Sequence, residues 1–138
     1  MNPPKEILAI DPGKHMGYAR FINGIYDDFG TIHGDEEIWV WIGKQRPNLW
    51  VVEDYKIRDE SHKGFDHLWQ SVFPAQVIGA IKFFAYNTGV EVVLQQPSIK
   101  SAAHAMMFGK PYEKKQNKHH LDAIIHGGYY LKKNGLKY

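Results

Sequence analysis

The chain has 138 residues, no cysteine and a formal net charge of +2, which fits one domain around one core and rules out a disulfide framework, a thiolate metal site or a thiol nucleophile. No apolar run approaches the roughly 20 residues that span a bilayer and no signal peptide is visible, so no membrane partner and a cytoplasmic setting are the expectation. A net charge this small does not by itself announce a nucleic-acid partner.

In chain order, Ile7 to Ile10 is a short apolar run closed by Asp11-Pro12-Gly13, the pattern of a buried strand ending in a turn. Gly17 to Ile22 and Ile25 to Ile32 flank Asn23-Gly24, the strongest short hairpin signal, which predicts a three-strand antiparallel meander. Asp35 is placed to cap a helix reaching about Gln45, with Ile38 and Ile42 inward, Trp39 and Trp41 beside them and Pro47 beyond its end. Leu49 to Val52 then reads as a buried strand, parallel to the first because a helical crossover precedes it.

Tyr55 to Gln70 has no period and reads as a surface loop. Pro74 suits the first turn of a helix carrying Val77, Ile78, Ile81, Phe84 and Ala85, closed by Asn87-Thr88-Gly89. Val90 to Leu94 is a further parallel strand, Ser98 to Met107 a short helix, and a lysine-rich loop follows Gly109. A final helix from about Asn117 to Lys133 puts His119, Asp122 and His126 on one stripe and Leu121, Ile124, Ile125, Gly128 and Leu131 on the buried one. Gly127 and Gly128 cost a helix interior roughly 1 kcal/mol each relative to alanine, which suggests a close approach to the sheet. The predicted class is α/β: a mixed five-stranded sheet, three antiparallel strands then parallel additions, with helices on both faces, the ribonuclease H-like plan.

Three acids stand where this topology concentrates them. Asp11 and Glu53 end strands one and four, and Asp122 opens the last helix. Neighbouring strands lie about 5 Å apart, so the first two come within joint reach of an ion. Oxygen ligands from Asp11, Glu53 and Asp122, with an imidazole from His119, suit magnesium, with manganese as substitute, rather than structural zinc. Two such ions about 4 Å apart can activate a water and stabilise a leaving 3′ oxygen, which points to phosphodiester hydrolysis without a covalent intermediate. Each acid also has a plainer reading: Asp11 as part of a turn, Glu53 paired with Lys56, Asp122 at the positive end of a helix.

Acidic residues gather in the first half, at Asp27, Asp28, Asp35, Glu36 and Glu37. Lys56, Arg58 and Lys63 follow Glu53, and Lys100, Lys114, Lys115 and Lys118 belong to a basic last third, so a positive rim around the carboxylates is expected to meet a phosphate backbone.

ILAIDPGKHMGYA around Asp11, with Gly13 and Gly17, VVED ending in Glu53 and Asp54, and His119 three residues before Asp122-Ala123 resemble the RuvC family of Holliday-junction resolvases, particularly its compact bacteriophage versions. The likeness covers nearly the whole chain. It implies Asp11, Glu53, His119 and Asp122 as catalytic and metal-binding residues, and a homodimer that nicks opposing strands of a four-way DNA junction. A phage origin, which would place the protein in a host cytoplasm, is implied by the same likeness. It also implies an aromatic wedge after the second acid, for which Phe65 is favoured over Tyr55 and Trp69. The competing readings are a broader flap or branch DNA nuclease, an RNA-processing nuclease of the same fold, and a non-catalytic junction-binding protein. An actin-like ATPase or sugar kinase would need a second lobe that 138 residues do not supply.

Overall fold

The computed structural model describes residues 4–55, 62, 64–110, 112 and 119–135, with the side chains of 65–71 excluded. Strands β1 (Glu6–Asp11), β2 (His15–Ile22) and β3 (Ile25–His33) are followed by helix α1 (Asp35–Lys44), β4 (Leu49–Glu53), α2 (Phe65–Thr88) and β5 (Glu91–Gln95). A 3-10 turn at Pro97–Ile99 leads into α3 (Lys100–Phe108), and α4 (His119–Lys133) comes last. The sheet order is β3-β2-β1-β4-β5, with β1–β2 and β2–β3 antiparallel and β1–β4 and β4–β5 parallel. The meander turns at Asn23 and Gly24, whose φ values of 52° and 80° are the left-handed geometry a tight hairpin requires.

Alternation along β1 divides the core. Leu8 and Ile10 face the layer built by α1 and α2, together with Met16, Ile38, Ile42, Trp50, Val52, Val77 and Ile81. Ile7 and Ala9 face α4, together with Ala19, Phe21, Leu49, Val51, Ala123 and Leu131. The period of two then sends Asp11, Glu53 and Gln95, at the carboxyl ends of three adjacent strands, to the α4 side.

Helix α4 sits close to this face because glycines let it. A Cβ on Gly127 would run into the ring of Phe21, and one on Gly128 into Met107. A Cβ on Gly17 of β2 would strike the backbone of His119. Burying a phenylalanine is worth about 1.5–3 kcal/mol, more than the roughly 1 kcal/mol that a helix glycine costs, so the close approach wins.

The elements depart from expectation in one substantial place. Helix α2 begins at Phe65, and Pro74 lies inside it rather than in its first turn. A proline removes one backbone hydrogen bond, but packing holds the helix on both sides of it: Phe73 before it packs on Trp39 of α1 with ring centroids 5.5 Å apart, and Val77, Ile78 and Ile81 after it are buried in the core. The predicted loop therefore ends before residue 65. Gly34, not Asp35, holds the cap position of α1, leaving Asp35, Glu36 and Glu37 in the first turn, where acids complement the helix dipole. Ala123, His126 and Gly127 join Ile125, Gly128 and Leu131 on the buried side of α4, whereas Leu121 and Ile124 are half-buried.

Candidate active site

Asp11, Glu53 and Asp122 each offer a carboxylate oxygen, and the three oxygens lie within 4.8 Å of one another. Two come from the parallel pair β1 and β4 and the third from the first turn of α4, so the cluster exists only where sheet and helix meet. Among the described residues this is the one group of acidic and histidine side chains with metal-binding spacing.

Burial sets the electrostatics. Asp11 is 8% exposed, and its pKa is raised from 3.8 to about 6: loss of hydration is the main cause, Glu53 and Asp122 add repulsion, and a hydrogen bond with His119 opposes both. His119 Nδ1 lies 3.0 Å from Asp11 Oδ2, and this bond is the leading reason the imidazole holds its proton more tightly than usual. For Glu53, burial alone would raise the pKa, but the hydrogen bond from His126, followed by the charges of His126 and Lys100, reverses the sign and holds it below the usual value.

His126 is fully buried, with Nε2 2.9 Å from Glu53 Oε2 and Nδ1 2.8 Å from Gln95 Oε1. The lysine at the start of α3 enters the cluster: Lys100 Nζ is 3.3 Å from both Glu53 Oε1 and Asp122 Oδ2. Burial would lower its pKa, but Glu53, Asp122 and Asp11 outweigh that and raise it. Tyr112 donates its hydroxyl to Asp122 Oδ1 at 2.7 Å, and burial followed by that bond pushes its phenol pKa well above the ordinary range. The acids are thus held from behind by His119, His126 and Tyr112, with Lys100 bridging two of them.

The donor set fits a hard divalent cation. It consists of carboxylate oxygens without thiolate, and a positive group, the Lys100 ammonium, is already drawn between two of them. His119 lies beside Asp11 and outside the three-oxygen group, with its Nδ1 engaged by the carboxylate.

The other expected positions divide. Lys100, expected on the positive rim, lies in the cluster itself. Lys56, Arg58, Lys63, Lys114, Lys115 and Lys118 fall outside the described residues, and Phe65 is described only as the first residue of α2. Sequence reasoning assigned no role to Tyr112, which stands alone in a basic loop with no period to mark it, and gave Gln95 no part in the site. For Gln95 the signal was present: it follows Val93 at spacing two on a strand parallel to β4, directly across from Glu53.

Neither a protein-family model nor a curated protein matches the chain. Solved structures do. RuvC of Thermus thermophilus in complex with a Holliday junction substrate superposes with a TM-score of 0.62 at 16% identity, over 96% of this chain and 98% of that one. A second Thermus thermophilus RuvC structure gives 0.50 at 18% identity, over 94% and 96%. The yeast mitochondrial Holliday junction resolvase gives 0.58 at 11% identity, over 91% and 77%. The strand order, the mixed pairing and these superpositions along nearly the whole length agree: the chain has the ribonuclease H-like fold of the RuvC resolvases.

Proposed function

We propose that the protein is a divalent-metal-dependent endonuclease that resolves four-way DNA junctions by hydrolysing phosphodiester bonds, working as a homodimer. The observation that carries this reading is the convergence of Asp11, Glu53 and Asp122 within 4.8 Å, on a fold shared with a RuvC bound to a Holliday junction. A symmetric substrate is matched by a two-fold dimer with one site per cut strand.

Asp11, Glu53 and Asp122 would hold magnesium, or manganese in its place, which when bound supplies Lewis-acid activation of water and charge stabilisation on the leaving 3′ oxygen. The chain's own groups do the positioning. His126, itself held by Gln95, locks the carboxylate of Glu53, Tyr112 orients that of Asp122, and His119 fixes one oxygen of Asp11. Lys100, poised between two acids, supplies positive charge where a scissile phosphate would approach. Lysines of the segments after Glu53 and before α4, with Phe65, complete the reading as DNA contacts.

The test is magnesium-dependent cleavage of a synthetic four-way junction beside linear duplex, flap and RNA-containing duplex, with wild type and Asp11→Asn. Paired symmetric nicks on the junction alone, absent from the variant, are the expected result. Equal cutting of flaps or RNA would make it a broader nuclease of this fold, and binding without cutting a junction-binding protein.

A further inference from the structure

We propose that His15, His33 and Thr31, with the outer edge of His119, form a subsite for one backbone phosphate of the nucleic-acid strand, adjacent to the phosphodiester held at the carboxylate cluster. The inference rests on the nuclease reading and adds to it a fixed position for the strand. These four residues line a pocket of about 240 Å³.

The pocket is built on sheet register. His15 of β2 and His33 of β3 are direct cross-strand partners, and Thr31 lies two residues along the same face. The Nδ1 atoms of His15 and His33 are 2.8 Å apart, so one ring donates and the other accepts. The accepting ring, when neutral, must carry its proton on Nε2, and a protonated pair carries more, so the pair always presents at least one N–H away from the shared bond. Thr31 adds a hydroxyl, and the His119 ring lies 6.1 Å from that of His15.

Among the described residues no carboxylate lines this pocket. Beyond burial, the groups acting on His15 are His33, His119 and Lys14, and every one of them disfavours its protonation. Glu36 and Glu37 line the adjoining groove between β3 and α1, which shares Thr31 and His33 with this pocket and also holds Lys44. A concave group of N–H and O–H donors with cationic neighbours is complementary to an anion. His119 joins the two places: its Nδ1 holds Asp11 at 3.0 Å while its ring lines the pocket, so the subsite lies one imidazole from the cation-binding acids. That step suits consecutive phosphates of one strand, and a phosphate gripped there would add binding energy that anchors the strand beside the acids.

The experiment is a methylphosphonate scan. A four-way junction carries a single neutral methylphosphonate at each phosphate flanking the cut in turn, and single-turnover cleavage in magnesium is measured for wild type and for His15→Ala/His33→Ala. Both side chains are exposed, and thermal melts confirm folding. At one flanking position the neutral linkage should raise the half-saturating enzyme concentration for wild type about tenfold, as expected for losing a charge-assisted hydrogen bond. The double variant should show a similar rise on the all-phosphate junction, little change in maximal rate, and no further response at that position. Wild-type half-saturation in the double variant, independent multiplication of the two effects, or tight zinc binding that the double substitution removes would each overturn the proposal. Binding of the same junctions to Asp11→Asn, with and without the double substitution, separates the two readings. Position-specific sensitivity in binding with no cutting by wild type would overturn the nuclease reading alone, and its absence from binding would overturn the subsite.

Discussion

His126 and Glu53 meet at 2.9 Å beneath helix α4, with the imidazole fully enclosed and its other nitrogen engaged by Gln95. The second acid is therefore anchored from inside the protein while its other oxygen faces Lys100. Replacing His126 by alanine leaves a buried carboxylate without its partner and a void under the helix, which should cost about 3 kcal/mol. Because the histidine orients a carboxylate proposed to hold the cation, half-maximal cleavage should also need about 10-fold to 100-fold more magnesium. Thermal melts and a magnesium titration of cleavage check both, and unchanged magnesium dependence would reduce His126 to a packing residue.

Asp11→Asn should separate stability from activity. The folded carboxyl titrates near 6 and the unfolded one near 3.8, so between these values the folded state binds the extra proton. Stability that is full below about pH 4 is consequently lost as pH rises through 6, and at neutral pH without metal the ionised group costs on the order of 3 kcal/mol. Asparagine removes that charge and can still accept from His119, so in chelator the variant should melt above wild type at pH 7, with the gap closing toward pH 4. Cleavage should fall by about a thousandfold. A variant that melts lower at pH 7 would contradict the electrostatic account.

Lys100 is drawn to the same oxygens that are proposed to hold the divalent cation. Lys100→Gln should destabilise the metal-free protein by about 2 kcal/mol, since it leaves Glu53 and Asp122 facing each other without their shared cation. Magnesium should restore much of the loss. Melting temperatures of both proteins, with and without magnesium, measure this directly, and an equal gap in both conditions would show that lysine and metal do not share a place.

Gly17→Ala tests the seating of α4. The added methyl would meet the backbone of His119, which cannot yield without moving the first turn of the helix that carries Asp122. A cost of about 2 kcal/mol is expected. Cleavage should drop more steeply than stability does, and the melting temperature compared with cleavage rate at saturating magnesium decides it.

Much of this arrangement was legible in the chain because it follows from periodicity. The apolar runs before Asp11 and Glu53 placed two acids at strand ends, the Asn23-Gly24 pair announced the hairpin, and the glycines of the last helix announced its approach to the sheet. What stayed hidden depends on distance across the fold. Lys100 reads as one more basic residue until α3 turns it toward Glu53 and Asp122, and Tyr112 has no pattern to distinguish it. The start of α2 was obscured because Pro74 is a better local signal for a helix beginning than for a helix continuing.

Glu53 and Asp122 lie far from Asp11 in sequence, and the three touch only after β1, β4 and α4 have docked. Divalent affinity at this cluster would therefore be a property of the assembled tertiary structure and of no local segment. On the proposed reading, cation binding and global folding would form one linked equilibrium, in which added magnesium would pull the chain toward the native state. A partly folded molecule would hold every acid without their convergence, so the docking of one 15-residue helix would act as a safety catch on the proposed chemistry.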